Sequence, residues 1–530
     1  MKKNIIILSV LIMTLMINMS QVSYAETLAV PNAHWFHNTY MKMDELGLID
    51  PSSDFKLGSP VTEKMLIKLL RTAMPTLESA TALDSYDSTN PLTRQQALIR
   101  IFEEMDLFDM SKIMKSLTSP FVDTTGYQAL YNMAESFGWI SINSTKTFRP
   151  NANIKMEEAY SLIYNIYLKE TSELELLHSY YAISSYSQIQ YLDALDTVSF
   201  GWSRLELDSN TNSIVLNTTV SNANEYNVPS GYSIPIEKAD SASVSKQLMV
   251  FVKDHALAEE ILSNSTYGKQ AIDHVIQFLT DNKYQLQFEG VLMDFEGLKG
   301  TDNAENYNTF LTLLKSRLNE LNLKLTVAVH PKGLLSTGYY DGYDYNTIGN
   351  LADYVVLMAH DYAARKLTPY EMSIGYTVTP LTPINEIYYA LQNILDPETG
   401  VEDSKKVLLQ FSMDAVEWKL TNNQVINSIP YRPTYKSIAN LIELGATQNY
   451  SKALHSPWLT QTDEATQQKS IIWYENRDSI QAKIHMAKRF ELGGLSVWRL
   501  GNIPNDALYE QNALDIWQTF LDNVQNNEIQ

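Results

Sequence analysis

The chain has 530 residues, with 61 acidic against 40 basic side chains, a net charge of −21, 45% hydrophobic and 11% aromatic residues, and no cysteine. That content excludes a disordered chain, and the acid excess disfavours nucleic acid or an anionic membrane surface as partner, because both repel it. Without cysteine there is no disulfide scaffold, thiolate metal site or cysteine nucleophile, and no cofactor or metal is expected. At roughly 150 residues per domain, the length suits about three domains, or one large barrel with a smaller partner.

Lys2 and Lys3 give a basic start, residues 5–17 are apolar apart from Ser9 and Thr14, and Ser23-Tyr24-Ala25 offers the small residues a signal peptidase reads. The apolar run is shorter than the ~20 residues that span a bilayer comfortably. Residues 1–25 therefore read as a secretory leader, with a mature chain from near Glu26; an uncleaved anchor is the alternative. A secreted chain without cysteine fits the surface or cell wall of a Gram-positive bacterium.

Residues 29–170 read as short helices punctuated by turns, with a loose internal repeat. One copy runs from His34-Trp35 through Leu46-Gly47-Leu48-Ile49 and Phe55 to Pro60-Val61-Thr62-Glu63, which opens a helix. Another runs from Phe121-Val122-Asp123 through Phe137-Gly138-Trp139-Ile140 and Phe148-Arg149-Pro150-Asn151 to a helix at Glu157-Glu158-Ala159. Between them Thr93-Arg94 caps a third helix. This order resembles S-layer homology modules, a family that tethers proteins to cell-wall polysaccharide. The Thr-Arg cap that family favours stands only at Thr93-Arg94, beside Thr62-Glu63-Lys64 and Lys155-Met156-Glu157 in the other copies. A plain helical spacer is the competing reading.

From residue 176 to about 527 the pattern changes to short apolar or β-branched runs separated by helices. Strands are expected at Tyr180–Ile183, Thr197–Gly201, Leu248–Val252, Phe288–Phe295, Lys324–Val329, Tyr354–Met358, Val407–Phe411 and Gly494–Trp498. Ile272, Val275, Ile276 and Leu279 mark one stripe of the helix before the fourth, and Leu314, Leu318 and Leu321 mark the helix before the fifth. Eight strands alternating with helices predict an α/β fold, a (β/α)₈ TIM barrel, behind a smaller all-α region. A doubly wound sheet gives the same alternation, but no glycine-rich phosphate loop follows the first strand.

A barrel keeps its chemistry at the carboxyl ends of its strands. The fourth ends Glu289-Gly290-Val291-Leu292-Met293-Asp294-Phe295-Glu296. Alternation puts Leu292, Asp294 and Glu296 on the inward face and the apolar Val291, Met293 and Phe295 outward, against the helices. Two stacked carboxyls disfavour double ionisation, so one should hold a proton, as a general acid must. A solvent-exposed acidic strand end is the plain alternative.

The segment resembles the active-site strand of glycoside hydrolase family 18, the chitinase family, whose pattern is Asp-Gly-x-Asp-x-Asp-x-Glu. Glu289, Gly290, Asp294 and Glu296 fall on it; Leu292 replaces the middle acid. Met358-Ala359-His360-Asp361-Tyr362 resembles the family's Met-x-Tyr-Asp signature, with His360 in the tyrosine's place. Trp473-Tyr474-Glu475-Asn476 and Gly493–Gly501 resemble the approach to the eighth strand and its end, and Thr197–Trp202 the second strand. The flavour is that of the bacterial spore-cortex and cell-wall branch. The resemblance implies Glu296 as proton donor and Asp294 as the residue holding the substrate's acetamido group, whose carbonyl oxygen attacks the anomeric carbon. It implies Asp361 against the same acetamide and Trp498 as an apolar plate under the sugar. An imidazole at His360, or the hydroxyl of Tyr362, is left to donate to the acetamido oxygen. The substrate implied is an N-acetylglucosamine polysaccharide, peptidoglycan or chitin.

No zinc-protease, serine-elbow, P-loop or calcium-loop spacing occurs. The tyrosine-rich stretch 339–345 either lines a sugar cleft or packs on its own aromatics. Leu292 and His360 leave a non-hydrolytic glycan-binding protein as the alternative function, with a structural wall protein as the third.

Overall fold

A computed structural model describes residues 30–49, 55–77, 81–219, 226–252, 254–281, 284, 286–332, 340–504 and 507–524. The leader expected at residues 1–25 lies outside them. Among the described residues no helix is long and apolar enough to cross a membrane. The chain divides into two compact units, residues 1–108 with 117–168 and residues 109–116 with 169–530.

The first unit is helical, with helices His37–Glu45, Glu63–Ala73, Arg94–Glu104, Gln128–Ser136 and Met156–Glu170. The segments leading into the second, third and fifth close a ring of main-chain hydrogen bonds: Leu92 N donates to Val61 O (2.9 Å), Ile154 N to Leu92 O (3.0 Å) and Val61 N to Ile154 O (3.1 Å). Each copy of the sequence repeat thus contributes one equivalent strap. Thr93 starts its helix with a reciprocal cap, accepting from Gln96 N while Thr93 N donates to the Gln96 side chain.

The second unit is an eight-stranded parallel barrel. Its strands are β1 (Leu176–Tyr181), β2 (Thr197–Asp208), β4 (Ser245–Val252), β5 (Gly290–Phe295), β6 (Lys324–Val329), β7 (Tyr354–Leu357), β8 (Val407–Ser412) and β14 (Gly494–Trp498), with β3 (Ser213–Asn217) paired antiparallel to the end of β2. Each barrel strand pairs in parallel with the next, and β14 closes the circle between β8 and β1. Closure needs Gly494, where a Cβ would lie 2.0 Å from Leu176 O. Gly290, the glycine of the acidic segment, is required likewise: a Cβ there would lie 2.5 Å from Lys324 O on β6.

The first strand lies earlier than the expected Tyr180–Ile183. The β-branched and aromatic residues drew that reading, but Ile183 begins a 3₁₀ segment, and the strand runs through His178 and Ser179, polar yet buried. His178 is tied on one ring nitrogen to Ser496 Oγ (2.8 Å) and on the other to Ser199 Oγ (2.9 Å). Above this polar layer the bore is apolar, filled by Tyr180, Met249, Leu292, Ala328, Val356, Met358 and Leu408.

Between β8 and β14 the chain adds a five-stranded antiparallel sheet, β9 (Val416–Thr421), β10 (Gln424–Val425), β11 (Thr447–Ser451), β12 (Ser456–Thr462) and β13 (Lys469–Trp473), in the order β10-β9-β13-β12-β11. Trp418 and Trp473 are its core, with Ala363, Leu367 and Leu381 from the segment after β7. The Trp473–Asn476 segment leads from this sheet into the helix that precedes β14. Trp473 ends β13, and Asn476 caps the helix Arg477–Arg489. Glu475 is buried against Lys483, with Ser479 Oγ (2.5 Å) and Thr382 Oγ1 also donating to it. That cluster joins the insertion to the helix before β14.

Candidate active site

Strand alternation places Leu292, Asp294 and Glu296 at successive heights on the inner side of β5. Leu292 is fully buried, Asp294 is 3% exposed, and Glu296, one residue past the strand, is exposed at the mouth. The two carboxyls therefore differ in environment. Burial, then the charge of Glu296, pushes Asp294 well above the usual carboxylate range, which favours its protonated form. Its Oδ1 has no hydrogen-bond partner among the described residues, because Leu292 below offers only carbon. Glu296 is also raised, chiefly by the desolvation that surrounding protein imposes even though its side chain reaches solvent; the charges of His360 and Arg365 pull it down and that of Asp361 pushes it up.

His360 follows β7 with both ring nitrogens engaged: Nδ1 lies 3.0 Å from Asp361 Oδ2 and Nε2 2.5 Å from Gln410 Oε1. In this amide orientation both partners accept, an arrangement that favours the protonated ring. Burial pulls its pKa down, but the Asp361 and Gln410 hydrogen bonds and the charges of Asp361 and Glu296 outweigh burial and raise it. An acetamido oxygen would have to displace one of these partners to receive a hydrogen bond from His360. Asp361 is half exposed, sits in the left-handed region at φ 63°, and is kept ionised by His360, Arg432 and Arg365 against the effect of burial. Tyr362 is only partly buried, and its main-chain N–H donates to Leu381 O (3.0 Å).

Two recesses flank these groups. One, of about 340 Å³, is lined by His330, Lys332, Tyr340, His360, Asp361, Tyr362 and Arg365 among others. The other, of about 220 Å³, is lined by Tyr180, Tyr226, Met249, Asp414, Trp498 and Arg499 among others. Trp498 meets Tyr180 edge to face at 4.9 Å. All six residues singled out in the sequence, Asp294, Glu296, His360, Asp361, Tyr362 and Trp498, thus lie at the carboxyl ends of β5, β7 and β14.

Sequence reasoning missed Tyr180, Gln410 and Asp414. Tyr180 and Gln410 are buried side by side, the Gln410 amide opposing the rise that burial and the charge of Asp294 give the Tyr180 hydroxyl, while Asp294 Oδ1 has no hydrogen-bond partner among the described residues. Gln410 did leave a signal, as the lone amide in the apolar run Val407–Phe411. Asp414 lies past β8, its carboxyl raised by burial against the pull of Arg432. Of the tyrosine-rich stretch, Tyr343 and Tyr345 pack inward, donating to Phe295 O (2.6 Å) and His330 O (2.7 Å), whereas Tyr340 stacks on His330 at 4.1 Å and lines the larger recess.

Residues 245–502 match the family profile described as Glycosyl hydrolases family 18. The chain is 25% identical over 250 residues to the cortical fragment-lytic enzyme of Bacillus subtilis (strain 168), covering 46% of this chain and 53% of that protein. To the uncharacterized glycosylase YvbX of the same organism it is 27% identical over 253 residues, covering 47% and 67%. The chain thus spans about half the length of the curated cortical fragment-lytic enzymes it matches. Among solved structures, the Bacillus cereus spore cortex-lytic enzyme SleL superposes with a TM-score of 0.53 at 18% identity, covering 67% of this chain and 76% of that one. A chitinase from Chromobacterium violaceum ATCC 12472 gives 0.51 at 18%, covering 65% and 99%. At these identities the structures share the fold. By the profile match, residues 245–502 of the barrel unit are similar to the glycosyl hydrolases of family 18.

Proposed function

We propose that this protein hydrolyses β-linked glycans of 2-acetamido sugars by a substrate-assisted, retaining route. The observation that carries this reading is the difference between two acids two residues apart at the end of β5: Asp294 is buried, which raises its pKa, and Glu296 above it is exposed to solvent. Glu296 donates its proton to the glycosidic oxygen as the bond to the anomeric carbon breaks. The acetamido carbonyl oxygen of the same sugar closes on that carbon to form an oxazolinium ring. Asp294 lies beneath, able to donate to the newly anionic Glu296 or to orient the acetamide. Glu296 then takes a proton from water, which opens the ring from the face the leaving group left, so configuration is retained. Asp361, held by His360, faces the same space, and Trp498 with Tyr180 offers an apolar wall for the sugar.

The test follows the acetamide. Product sugars should appear first as the β anomer, a thiazoline mimic of the ring should inhibit competitively, and de-N-acetylated glycan should bind yet hardly turn over. Equal cleavage of acetylated and deacetylated chains would rule the mechanism out. A second reading, glycan binding without turnover, is favoured by two observations: both nitrogens of His360 are occupied, and Leu292 offers Asp294 only carbon.

For the helical unit we propose attachment to cell-wall polymer, on a secreted protein at the cell surface. A recess of about 250 Å³ there is lined by Trp35, Arg94, Phe148 and Arg149 among others; Trp35 is 61% exposed and the Arg94 guanidinium lies 4.9 Å over the Phe148 ring. The chain from Lys169 onward, which keeps Glu170 against Arg489, should cleave soluble oligosaccharides normally and co-sediment less with wall sacculi than the full mature chain. Equal sedimentation would leave the helices as a spacer.

A further inference from the structure

The apolar run of the second barrel strand ends at Gly201, yet β2 continues to Asp208 and turns back as β3, outlasting its pairing with β4, which stops at Arg204 and Phe251. The register slips between Phe200 and Ser203, and Ser203 Oγ pins the shifted strand to Met249 O (2.7 Å). The next residue, Arg204, is 1% exposed. Burying a guanidinium is costly unless its donors are met. Nε donates to Glu206 Oε1 (2.5 Å), and Nη1 donates to two main-chain carbonyls, Tyr226 O (2.6 Å) and Thr219 O (3.3 Å). Glu206 also accepts from Asn217 Nδ2 on β3 (2.7 Å), and Val228 N donates to Thr218 O (2.9 Å). The buried charge thus ties Thr219 to Tyr226 and fixes the main chain at that tyrosine.

The ring held in this way faces the active site. Tyr226 stacks on Phe251 with centroids 4.5 Å and planes 19° apart, and Phe251 shares the inward face of β4 with Met249, two residues before it. Tyr180, Gly201, Tyr226, Met249 and Trp498 all line the smaller recess, of about 220 Å³. Round the barrel, β14, β1, β2 and β4 are consecutive neighbours. Trp498 therefore stands at one flank of the recess and the Tyr226–Phe251 pair at the other, with Tyr180 and Gly201, which has no side chain, between them. A β-linked pyranose with equatorial substituents carries an apolar C–H face on each side. One aromatic ring covers one face; two flanking rings can cover both.

We propose, resting on the glycosidase reading above, that Tyr226 is the second aromatic wall of the sugar subsite at Trp498, and that Arg204 is the residue that positions it. Arg204 touches no sugar. It spends its buried donors on the main chain that carries Tyr226, and charge-assisted hydrogen bonds of this kind hold a loop more firmly than neutral ones.

The experiment uses the full mature chain carrying Glu296→Gln, so that calorimetric binding of N-acetylglucosamine tetramer and hexamer is read without turnover. Adding Tyr226→Ala should weaken binding ~10-fold, and Arg204→Met should weaken it by a similar factor. Tyr226→Phe keeps the ring and should bind as the parent does. With both Tyr226→Ala and Arg204→Met, binding should be no weaker than with Tyr226→Ala by itself, because Arg204 acts through a ring that is no longer there; independent losses would multiply to ~100-fold. Arg204→Lys keeps the buried charge but lacks the second donor arm, and it should repeat the loss and the non-additivity if the methionine variant does not fold. Unchanged binding in Tyr226→Ala, losses that multiply in the double variant, or a loss in Tyr226→Phe as large as in Tyr226→Ala overturns the proposal, as does a parent that binds neither oligomer. Failure of the glycosidase reading shows separately, as absent turnover of every glycan by the chain with Glu296 intact while the Glu296→Gln chain still binds the oligomers.

Discussion

Replacing Glu296 by glutamine removes one proton and keeps the shape of the side chain. Glu296 lies beyond the last hydrogen-bonded residue of β5 and is exposed, so no core contact is lost and stability should move by less than ~0.5 kcal/mol. The loss falls on the barrier. General acid catalysis to a poor leaving group is worth ~10²–10⁴ in rate, about 3–5 kcal/mol at ~1.36 kcal/mol per decade. Because Glu296 is raised above its usual 4.5, the wild-type rate should decline as pH rises through that higher value, and the residual rate of the variant should show no such limb. The charge of Glu296 is the second cause of the shift at Asp294, so in the variant Asp294 should move down yet stay above 3.8, since burial remains. Reducing ends released from N-acetylglucosamine oligomers measure the first effect, calorimetric binding shows whether the substrate still docks, and carboxyl carbon NMR follows Asp294. A variant that turns over within threefold of wild type, while folded and binding normally, would refute the assignment of Glu296 as proton donor.

Asp294→Asn mimics the protonated carboxyl, so the fold should persist while turnover drops ~100-fold or more, because the charge changes of the cycle are no longer available to it. The folded protein holds a proton on Asp294 that the unfolded chain loses above about 3.8, so this group makes stability fall as pH rises; urea midpoints of Asp294→Asn should lack that part of the decline. His178, lowered to about 3 by burial, is neutral in the barrel and protonates when unfolded below about 6.5, so it costs stability as pH falls from about 6.5 toward 3. His178→Gln should flatten that acid slope, which approaches ~1.4 kcal/mol per pH unit; identical slopes in both proteins would contradict it. Lys483→Met leaves the Glu475 carboxylate buried without its cation and should cost ~3–5 kcal/mol in urea unfolding; an unchanged urea midpoint would contradict it.

The local alternation of side chains was enough to read eight strands and to face Asp294 and Glu296 into the bore, because a pleat of period two is a property of neighbouring residues. Lys324–Val329 and Gly494–Trp498 end where apolar runs end, so their limits were legible too. β1 was misplaced because its polar residues are buried: His178 is satisfied by Ser199 and Ser496, 21 and 318 residues away, and no local pattern records that. The inserted sheet was hidden likewise, its short, half-exposed strands held by long-range pairing around Trp418 and Trp473. At the site the residue types were in the sequence, but their states were not. Which carboxyl is buried depends on height in the bore, and the charge on His360 depends on Gln410, 50 positions further along. Desolvation and hydrogen bonding set the protonation of these groups, and both are fixed only when distant segments close around them.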